Sequence, residues 1–233
     1  MRVKAILFDL DGTIFDVGER DAFARYQALR DLGFDVSLDD VRKRYRYGLG
    51  SMGVVKALGI TLSEKQEKEC IEASFAHFTD RTNALRLTRM QAGAYDALSA
   101  LSKIYRLGLV TSRNTLSSTE EELGWFNIRE FFMLIVTREV AAKYFGVNDL
   151  PLLPFEEQRT KLYECAIRLA KLDPRKMVCV GDAVEEIEPA RKLGIRVIGV
   201  LTGFSGKEDM EKASIPTIRS LGELVKILDQ YKD

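Results

Sequence analysis

The chain has 233 residues, 46% of them apolar, which is enough for one large domain or for a core domain with a smaller insertion. Its 35 basic and 35 acidic residues give a formal net charge of zero, so no general basic surface is available for nucleic acid. The single histidine, His77, excludes zinc sites of the H-E-x-x-H type and every site that needs two histidines.

The cysteines and the N-terminus bear on the cellular setting. Cys70, Cys165 and Cys179 are far apart and form no C-x-x-C pair, which argues against a structural zinc or a redox dithiol and fits a reducing compartment. The N-terminal apolar stretch is short and ends at an Asp, and no apolar run approaches the roughly 18 residues of a membrane span. We therefore expect no signal peptide, no membrane partner and a cytoplasmic location.

Short apolar runs alternate with helical patterns along most of the chain. The runs are apolar on both faces, as strands of a covered parallel sheet are, and they lie at residues 3–10, 107–111, 131–137, 177–180 and 197–201. Helical stripes lie between or after them, at Ala94–Leu98–Leu101–Ile104, Leu162–Ala166–Leu169–Leu172 and Leu221–Leu224–Leu228. This alternation predicts an α/β fold with a doubly wound, Rossmann-like parallel sheet.

One region breaks the alternation, because no strand is predicted between residues 17 and 87. Roughly 70 residues without a strand exceed a simple crossover connection. We therefore expect an inserted all-α domain at 17–87, within a core domain formed by 1–16 and 88–233. The helical signals are the stripe Ala22–Tyr26–Leu29–Gly33, a capping pattern that opens at Ser37, and the stripe Ile71–Phe75–Phe78.

The strongest chemical signal is the sequence Phe-Asp-Leu-Asp-Gly-Thr at residues 8–13. Asp9 and Asp11 follow a buried strand, at the edge of the sheet where open α/β folds place their sites. Two acids that share a face repel each other unless a cation lies between them, and Mg²⁺ suits carboxylate oxygens and phosphate. The alternative is an ordinary strand ending, since Asp-Gly is common in turns.

Two further strand ends carry polar residues. Thr111 ends the second core strand, and Asp182 ends another, with Glu185 and Glu186 just beyond. Each of Thr111 and Asp182 alone is explained by capping of the following helix. Together with Asp9 and Asp11, however, they are hard to explain as caps and predict a site for phosphate and a metal ion.

These motifs resemble those of the haloacid dehalogenase-like hydrolase superfamily, which is chiefly phosphatases, and the resemblance covers nearly the whole chain. Residues 8–13 match the first motif, Thr111 the second, and Gly181-Asp182 with Glu186 the fourth. In the fourth motif Glu186 replaces the usual Asp, so it either binds the metal or supports residues that do.

The third motif of the family, a Lys that is often followed by Pro, has no direct match. Lys161 lies 21 residues before Asp182, near the start of a predicted helix, and is the preferred candidate. Lys143 and Arg159 are the alternatives.

The resemblance implies a mechanism for phosphoryl transfer. Asp9 would be the nucleophile and form an aspartyl-phosphate, while Asp11 would act first as general acid and then as base. The implied ligands of Mg²⁺ are Asp9, the backbone carbonyl of Asp11, Asp182 and, as the open case, Glu186. The implied contacts to phosphate come from Thr111, Lys161, Ser112, Thr13 and Lys143.

The resemblance also limits the alternatives. Dehalogenases of the family lack an acid at the position of Asp11, so a phosphatase acting on a small phosphorylated metabolite is favoured. A phosphomutase and a catalytically weak phosphate-binding protein stay open, whereas a receiver-type signalling module needs only about half this length. The helical insertion resembles the cap domain of the family, with hinges near 17–18 and 88–93.

Two features of the predicted cap have an ordinary interpretation. The basic cluster at residues 42–46 either contacts an anionic substrate or, as we favour, forms a solvated helix face. His77 is interpreted as a structural or surface residue. The sequence leaves the oligomeric state open.

Overall fold

The structure is a computed structural model that describes residues 2–44, 50–147 and 150–229. The chain divides into two compact units. The core unit consists of Met1–Phe15 and Met90–Asp233, and the helical unit consists of Asp16–Arg89. The expected insertion, residues 17–87, lies close to the bounds of the helical unit.

A six-stranded sheet forms the centre of the core unit, and its strand order is β5-β4-β1-β6-β7-β8, with every pair parallel. The predicted α/β fold with a parallel sheet is therefore confirmed. A separate pair of two-residue strands, β2 and β3, was not predicted, and neither was the short edge strand β8. The strands of the described residues are β1 Ala5–Phe8, β2 Phe15–Asp16, β3 Arg89–Met90, β4 Arg106–Val110, β5 Phe132–Val136, β6 Met177–Gly181, β7 Arg196–Val200 and β8 Thr217–Ile218.

Helices connect these strands and make up most of the helical unit. Within the described ranges, none of them combines the length and the apolar character that crossing a bilayer requires. The α-helices are α1 Gly18–Asp31, α2 Leu38–Arg44, α3 Gly50–Ala57, α4 Glu64–Thr79, α5 Arg81–Leu87, α6 Ala94–Ser102, α7 Leu116–Trp125, α8 Arg138–Phe145, α9 Phe155–Ala170, α10 Val184–Lys192, α11 Lys207–Lys212 and α12 Leu221–Asp229.

The strands are apolar on both faces because the sheet is covered on both sides. Ala5 and Leu7 of β1 join a buried cluster with residues of α8, α9 and α10. Side chains alternate along a strand, so Ile6 and Phe8 point to the opposite face, and both are completely buried. This double coverage explains the continuous apolar runs in the sequence.

The strand order determines where the functional side chains meet. The central strand β1 pairs with β4 on one side and with β6 on the other. Asp9 follows β1, Thr111 follows β4 and Asp182 follows β6, so all three lie beyond the carboxyl ends of neighbouring parallel strands. The hydrogen bonds between β1 and β6 continue to this edge, since the backbone N–H of Asp9 donates to Val180 O at 2.9 Å.

Within the helical unit, α1 packs along α4, and the buried face of α4 differs from the predicted one. Cys70 and Ser74 are buried, whereas Ile71 and Phe75 are about half exposed. The expected stripe Ile71–Phe75–Phe78 was therefore wrong for its first two members. Ala28 of α1 and Cys70 of α4 belong to the buried cluster at this contact.

Polar contacts inside the helical unit account for two features of its sequence. His77 Nε2 lies 2.6 Å from Asp31 Oδ2, which agrees with a structural role. Arg42 pairs with Glu19 and Asp39, as expected for a solvated helix face. The last two residues of the basic cluster, 45 and 46, lie outside the described residues.

Candidate active site

Three of the predicted metal ligands lie together at the carboxyl edge of the sheet. Asp9, Asp182 and Glu186 each contribute a carboxylate oxygen, and these oxygens lie within 4.8 Å of one another. Asp9 and Asp182 are each only 3% exposed, while the Glu186 side chain is 21% exposed. Glu186 therefore belongs to the carboxylate cluster itself rather than to a supporting layer outside it.

The cluster carries more negative charge than its surroundings balance. Burial, and then the charge of Glu186, raise the pKa of Asp9 well above its usual range, although Arg159 acts in the opposite direction. Burial and Glu186 likewise raise the pKa of Asp182 to about 7, against hydrogen bonds from Phe204 and Thr13. Arg159 offsets part of the charge beside Asp9, and Arg138 of α8 interacts with Glu186, yet Asp9 and Asp182 keep raised pKa values, which a further cation would lower.

A divalent cation with a preference for oxygen ligands fits this donor set. Carboxylate oxygens that converge at one point are the ligands that Mg²⁺ takes, and a doubly charged ion would oppose the burial and the repulsion by Glu186 that raise both pKa values. The side chain of Asp11 is turned to a different partner, described below. That the backbone carbonyl of Asp11 binds the metal stays a prediction.

Asp182 is held in place by two hydrogen bonds. The Thr13 hydroxyl donates to Oδ1 at 3.0 Å, and the backbone N–H of Phe204 donates to Oδ2 at 2.7 Å. Thr13 was expected to bind phosphate, but its completely buried hydroxyl is used to orient Asp182 instead. Asp182 is not a helix cap either, because the N-cap of α10 is Ala183.

Two glycines allow this arrangement of Asp182. A Cβ atom at Gly12 would lie 2.2 Å from Asp182 Oδ2, and one at Gly203 would lie 2.0 Å from the same atom. Gly12 also has a φ of +83°, which L side chains rarely adopt. The loops that contain these glycines therefore approach the carboxylate more closely than any other residue would permit.

Arg159, from α9, is the cation beside Asp9. Its side chain is completely buried, and its Nη2 lies 3.4 Å from Asp9 Oδ1 and 3.0 Å from the Tyr163 hydroxyl. Its Nη1 donates to Ser112 Oγ at 3.1 Å. Its Nε donates to the backbone carbonyl of Glu186 at 3.2 Å. Arg159 thereby connects the first, second and fourth motifs.

The preference for Lys161 is corrected by these positions. Lys161 Nζ pairs with Glu164 of the same helix at 3.1 Å, and the side chain is 34% exposed. Residues two apart on a helix are rotated by about 200° around its axis and lie on nearly opposite faces. Lys161 and Arg159 therefore cannot both face Asp9. The sequence contained a signal for Arg159. It lies three residues before Leu162, so it shares the helix face of the apolar stripe formed by Leu162 and Ala166. Lys143 is exposed on α8 and is not brought to the cluster either.

The second motif lies next to this arginine. Thr111 is 2% exposed, and its Oγ1 accepts a hydrogen bond from the backbone N–H of Arg113 at 3.3 Å. Helix α7 begins only at Leu116, after its N-cap Thr115, so Thr111 does not cap it. Ser112, predicted to bind phosphate, presents its hydroxyl to Arg159. Both residues are thus placed at the edge where a phosphoryl group would meet Asp9.

Asp11 is paired with an arginine that the sequence reasoning missed. Arg113 Nε and Nη2 donate to the two carboxylate oxygens of Asp11 at 3.0 and 2.7 Å, and Nη1 lies 2.7 Å from Glu122 Oε2. Burial alone would lower the pKa of Arg113, but Asp11 and Glu122 outweigh it and raise that pKa. Arg113 lies two residues after Thr111, within the second motif, and that position was the available signal.

The motifs and their geometry agree with comparisons against known proteins. A family model described as haloacid dehalogenase-like hydrolase matches residues 3–194. The chain belongs to this family. The predicted resemblance is confirmed, and so is the prediction that the chain is an enzyme of a hydrolase family.

Relatives in the haloacid dehalogenase-like family match this chain over almost its full length. A phosphoglycolate phosphatase from Aquifex aeolicus is 28% identical, and the match covers 98% of each chain. A glyceraldehyde 3-phosphate phosphatase from Methanocaldococcus jannaschii is 27% identical, with 99% of each chain covered. A haloacid dehalogenase-like family protein from Streptococcus pneumoniae shares the fold, with a TM-score of 0.74, 20% identity and coverage of 97% of this chain and 98% of that one.

Proposed function

We propose that this protein is a Mg²⁺-dependent phosphatase that hydrolyses a small phosphorylated metabolite through an aspartyl-phosphate intermediate. The observation that carries this proposal is the cluster of Asp9, Asp182 and Glu186 beside the buried Arg159. It offers a carboxylate nucleophile, ligands for a divalent cation and a donor for phosphoryl oxygens at one edge of the sheet. The relatives from Aquifex aeolicus and Methanocaldococcus jannaschii, which are phosphatases of phosphoglycolate and glyceraldehyde 3-phosphate, support the substrate class.

The residues of this site have distinct tasks in the proposed reaction. Asp9 attacks phosphorus in line and displaces the leaving oxygen, which Asp11 protonates. Arg159, with the hydroxyls of Thr111 and Ser112, donates hydrogen bonds to the phosphoryl oxygens.

A divalent cation at this site would add positive charge beside the attacking carboxylate. A bound Mg²⁺ would be held by Asp9, Asp182 and Glu186, with the Asp11 carbonyl, and would supply positive charge to the phosphoryl oxygens. Because burial raises the pKa of Asp9, this positive charge would also favour the ionised form that attacks.

We infer that the helical unit, Asp16–Arg89, is the cap that the family resemblance implies, and that it selects the substrate. Its insertion between the first and second motifs supports this role. The oligomeric state stays open, and the cytoplasmic location stays a prediction.

The test is hydrolysis of a panel of phosphate esters, including para-nitrophenyl phosphate, with Mg²⁺ and with EDTA. The wild-type protein should release inorganic phosphate only with the metal. Asp9→Asn should abolish release, and the matched control Asp96→Asn, on the exposed face of α6, should retain it. Absence of turnover by the wild type across the panel would favour a phosphate-binding protein. Transfer of phosphate within a sugar phosphate, without release, would favour a phosphomutase.

A further inference from the structure

We propose that Arg113 is a positioning residue for Asp11, that Glu122 holds Arg113 in place, and that this chain of contacts orients Asp11 for hydrolysis of the aspartyl-phosphate. The inference rests on the proposed function. It assigns a role to two residues, Arg113 and Glu122, to which the family resemblance assigns none.

The contact between Arg113 and Asp11 fixes the direction of the carboxylate. Both oxygens of Asp11 accept from one planar guanidinium, at 2.7 and 3.0 Å, and such a forked contact determines orientation as well as distance. The Arg113 side chain is 11% exposed, so its position is set by its surroundings. The Asp11 side chain is 28% exposed.

Glu122 provides the second anchor of Arg113. Its carboxylate, on α7, is 6% exposed and lies 2.7 Å from Arg113 Nη1. A buried carboxylate needs a partner, so the pair is costly to separate. The Arg113 guanidinium is therefore fixed from the side opposite Asp11. Its backbone N–H is fixed too, by the Thr111 hydroxyl at 3.3 Å.

The second half-reaction of the proposed mechanism requires Asp11 to act as a base on the attacking water. In that step a water oxygen bonds to phosphorus while the bond from phosphorus to the Asp9 carboxylate oxygen breaks. Asp9 leaves with the electron pair, and Asp11 takes the proton of the water. A base must be directed at the water for this transfer, and the forked contact with Arg113 fixes the direction of both Asp11 oxygens. Each carboxylate oxygen has two lone pairs, so the hydrogen bond from Arg113 does not by itself prevent an oxygen from taking a proton.

The experiment separates the two half-reactions with 2,4-dinitrophenyl phosphate, whose leaving group needs no proton. Rapid mixing of this ester with Arg113→Lys and Mg²⁺ should give a burst of about one dinitrophenolate per active site at the wild-type rate. The following steady state should be slower than the wild-type one by about tenfold or more, because hydrolysis of the phosphoenzyme has lost an oriented base. The burst amplitude also counts correctly folded sites.

Two further variants complete the design. Glu122→Gln keeps an acceptor for Arg113 but removes the charge, and it should give the same pattern with a smaller loss. Arg129→Lys is the matched control, because Arg129 pairs with Glu120 on the surface and should leave both phases unchanged.

The outcomes distinguish the inference from the proposed function. An unchanged steady state in Arg113→Lys, the absence of a burst, or a burst slowed as much as the steady state would overturn the role of Arg113. The last of these results would indicate a general distortion of the loop. Failure of the wild-type protein to turn over any ester would instead overturn the proposed function.

Discussion

Replacement of Gly203 by Ala should weaken metal binding without disturbing the backbone. The φ of Gly203 lies outside the left-handed region, so alanine can adopt the same backbone conformation. The added Cβ, however, would lie 2.0 Å from Asp182 Oδ2 and 2.6 Å from Cγ. Ordinary contact begins near 3.4 Å, so Oδ2 has to retreat by about 1.4 Å.

The retreat of Asp182 has a predictable effect on the proposed Mg²⁺ site. It breaks the 2.7 Å hydrogen bond from Phe204 N–H and moves one of three carboxylate ligands. Loss of a residue that orients a metal ligand typically lowers affinity by about 10-fold to 100-fold. We expect a loss of this size or greater, which corresponds to about 1.4–2.7 kcal/mol of binding free energy.

Calorimetric titration with Mg²⁺ and Mn²⁺ measures this loss independently of turnover. Gly206→Ala is a matched control in the same loop, because its added Cβ would meet only Asp209 Oδ2 at an ordinary 3.6 Å. The control should bind metal like the wild type. Equal affinity of Gly203→Ala and the wild type, or an equal loss in Gly206→Ala, would refute the assignment of Asp182 as a metal ligand held by this loop.

Two other predictions follow from the same site. Arg159→Gln should lower kcat for phosphate esters by about 100-fold or more in steady-state assays. The kcat of Lys161→Gln, on the same helix, should stay within about twofold of the wild-type value. A larger loss in Lys161→Gln than in Arg159→Gln would instead assign the third-motif role to Lys161. Burial raises the pKa of the Cys179 thiol from 9.0 to about 12. The protonated thiol therefore makes its full contribution to the stability of the folded state below pH 9, and this contribution is lost as the pH rises towards 12. Cys179→Ala should therefore flatten the alkaline decline of the unfolding free energy in guanidinium titrations, and parallel declines in both proteins would contradict this.

The sheet was predictable because its strands carry a strong local signal. Strands covered on both faces are apolar throughout, and the polar residues that end them stand out in the sequence. The predicted runs therefore include most of β1, β4, β5, β6 and β7. The strand β8, by contrast, has two residues, Thr217 and Ile218, which are too few to form a pattern.

The face of a helix was harder to predict than its existence. On α4 the bulky residues Ile71 and Phe75 suggested the buried side, yet the close approach of α1 selected Cys70 and Ser74. On α9 the apolar stripe pointed to Arg159, but the family pattern favoured a lysine. In both helices the deciding factor was the neighbouring element, which a single sequence does not contain.

Asp9 and Asp11 are chemically identical in the sequence and acquire different environments only through contacts with distant residues. Asp9 lies 3% exposed among carboxylates and beside Arg159 of α9, and burial raises its pKa well above the usual range. Asp11 is more exposed and is held by Arg113, which a buried glutamate holds in turn. Two carboxylates in different environments can take different roles in one reaction. Here two arginines provide the difference, and the proposed separation of nucleophilic attack from proton transfer, in a chain with one histidine, depends on it.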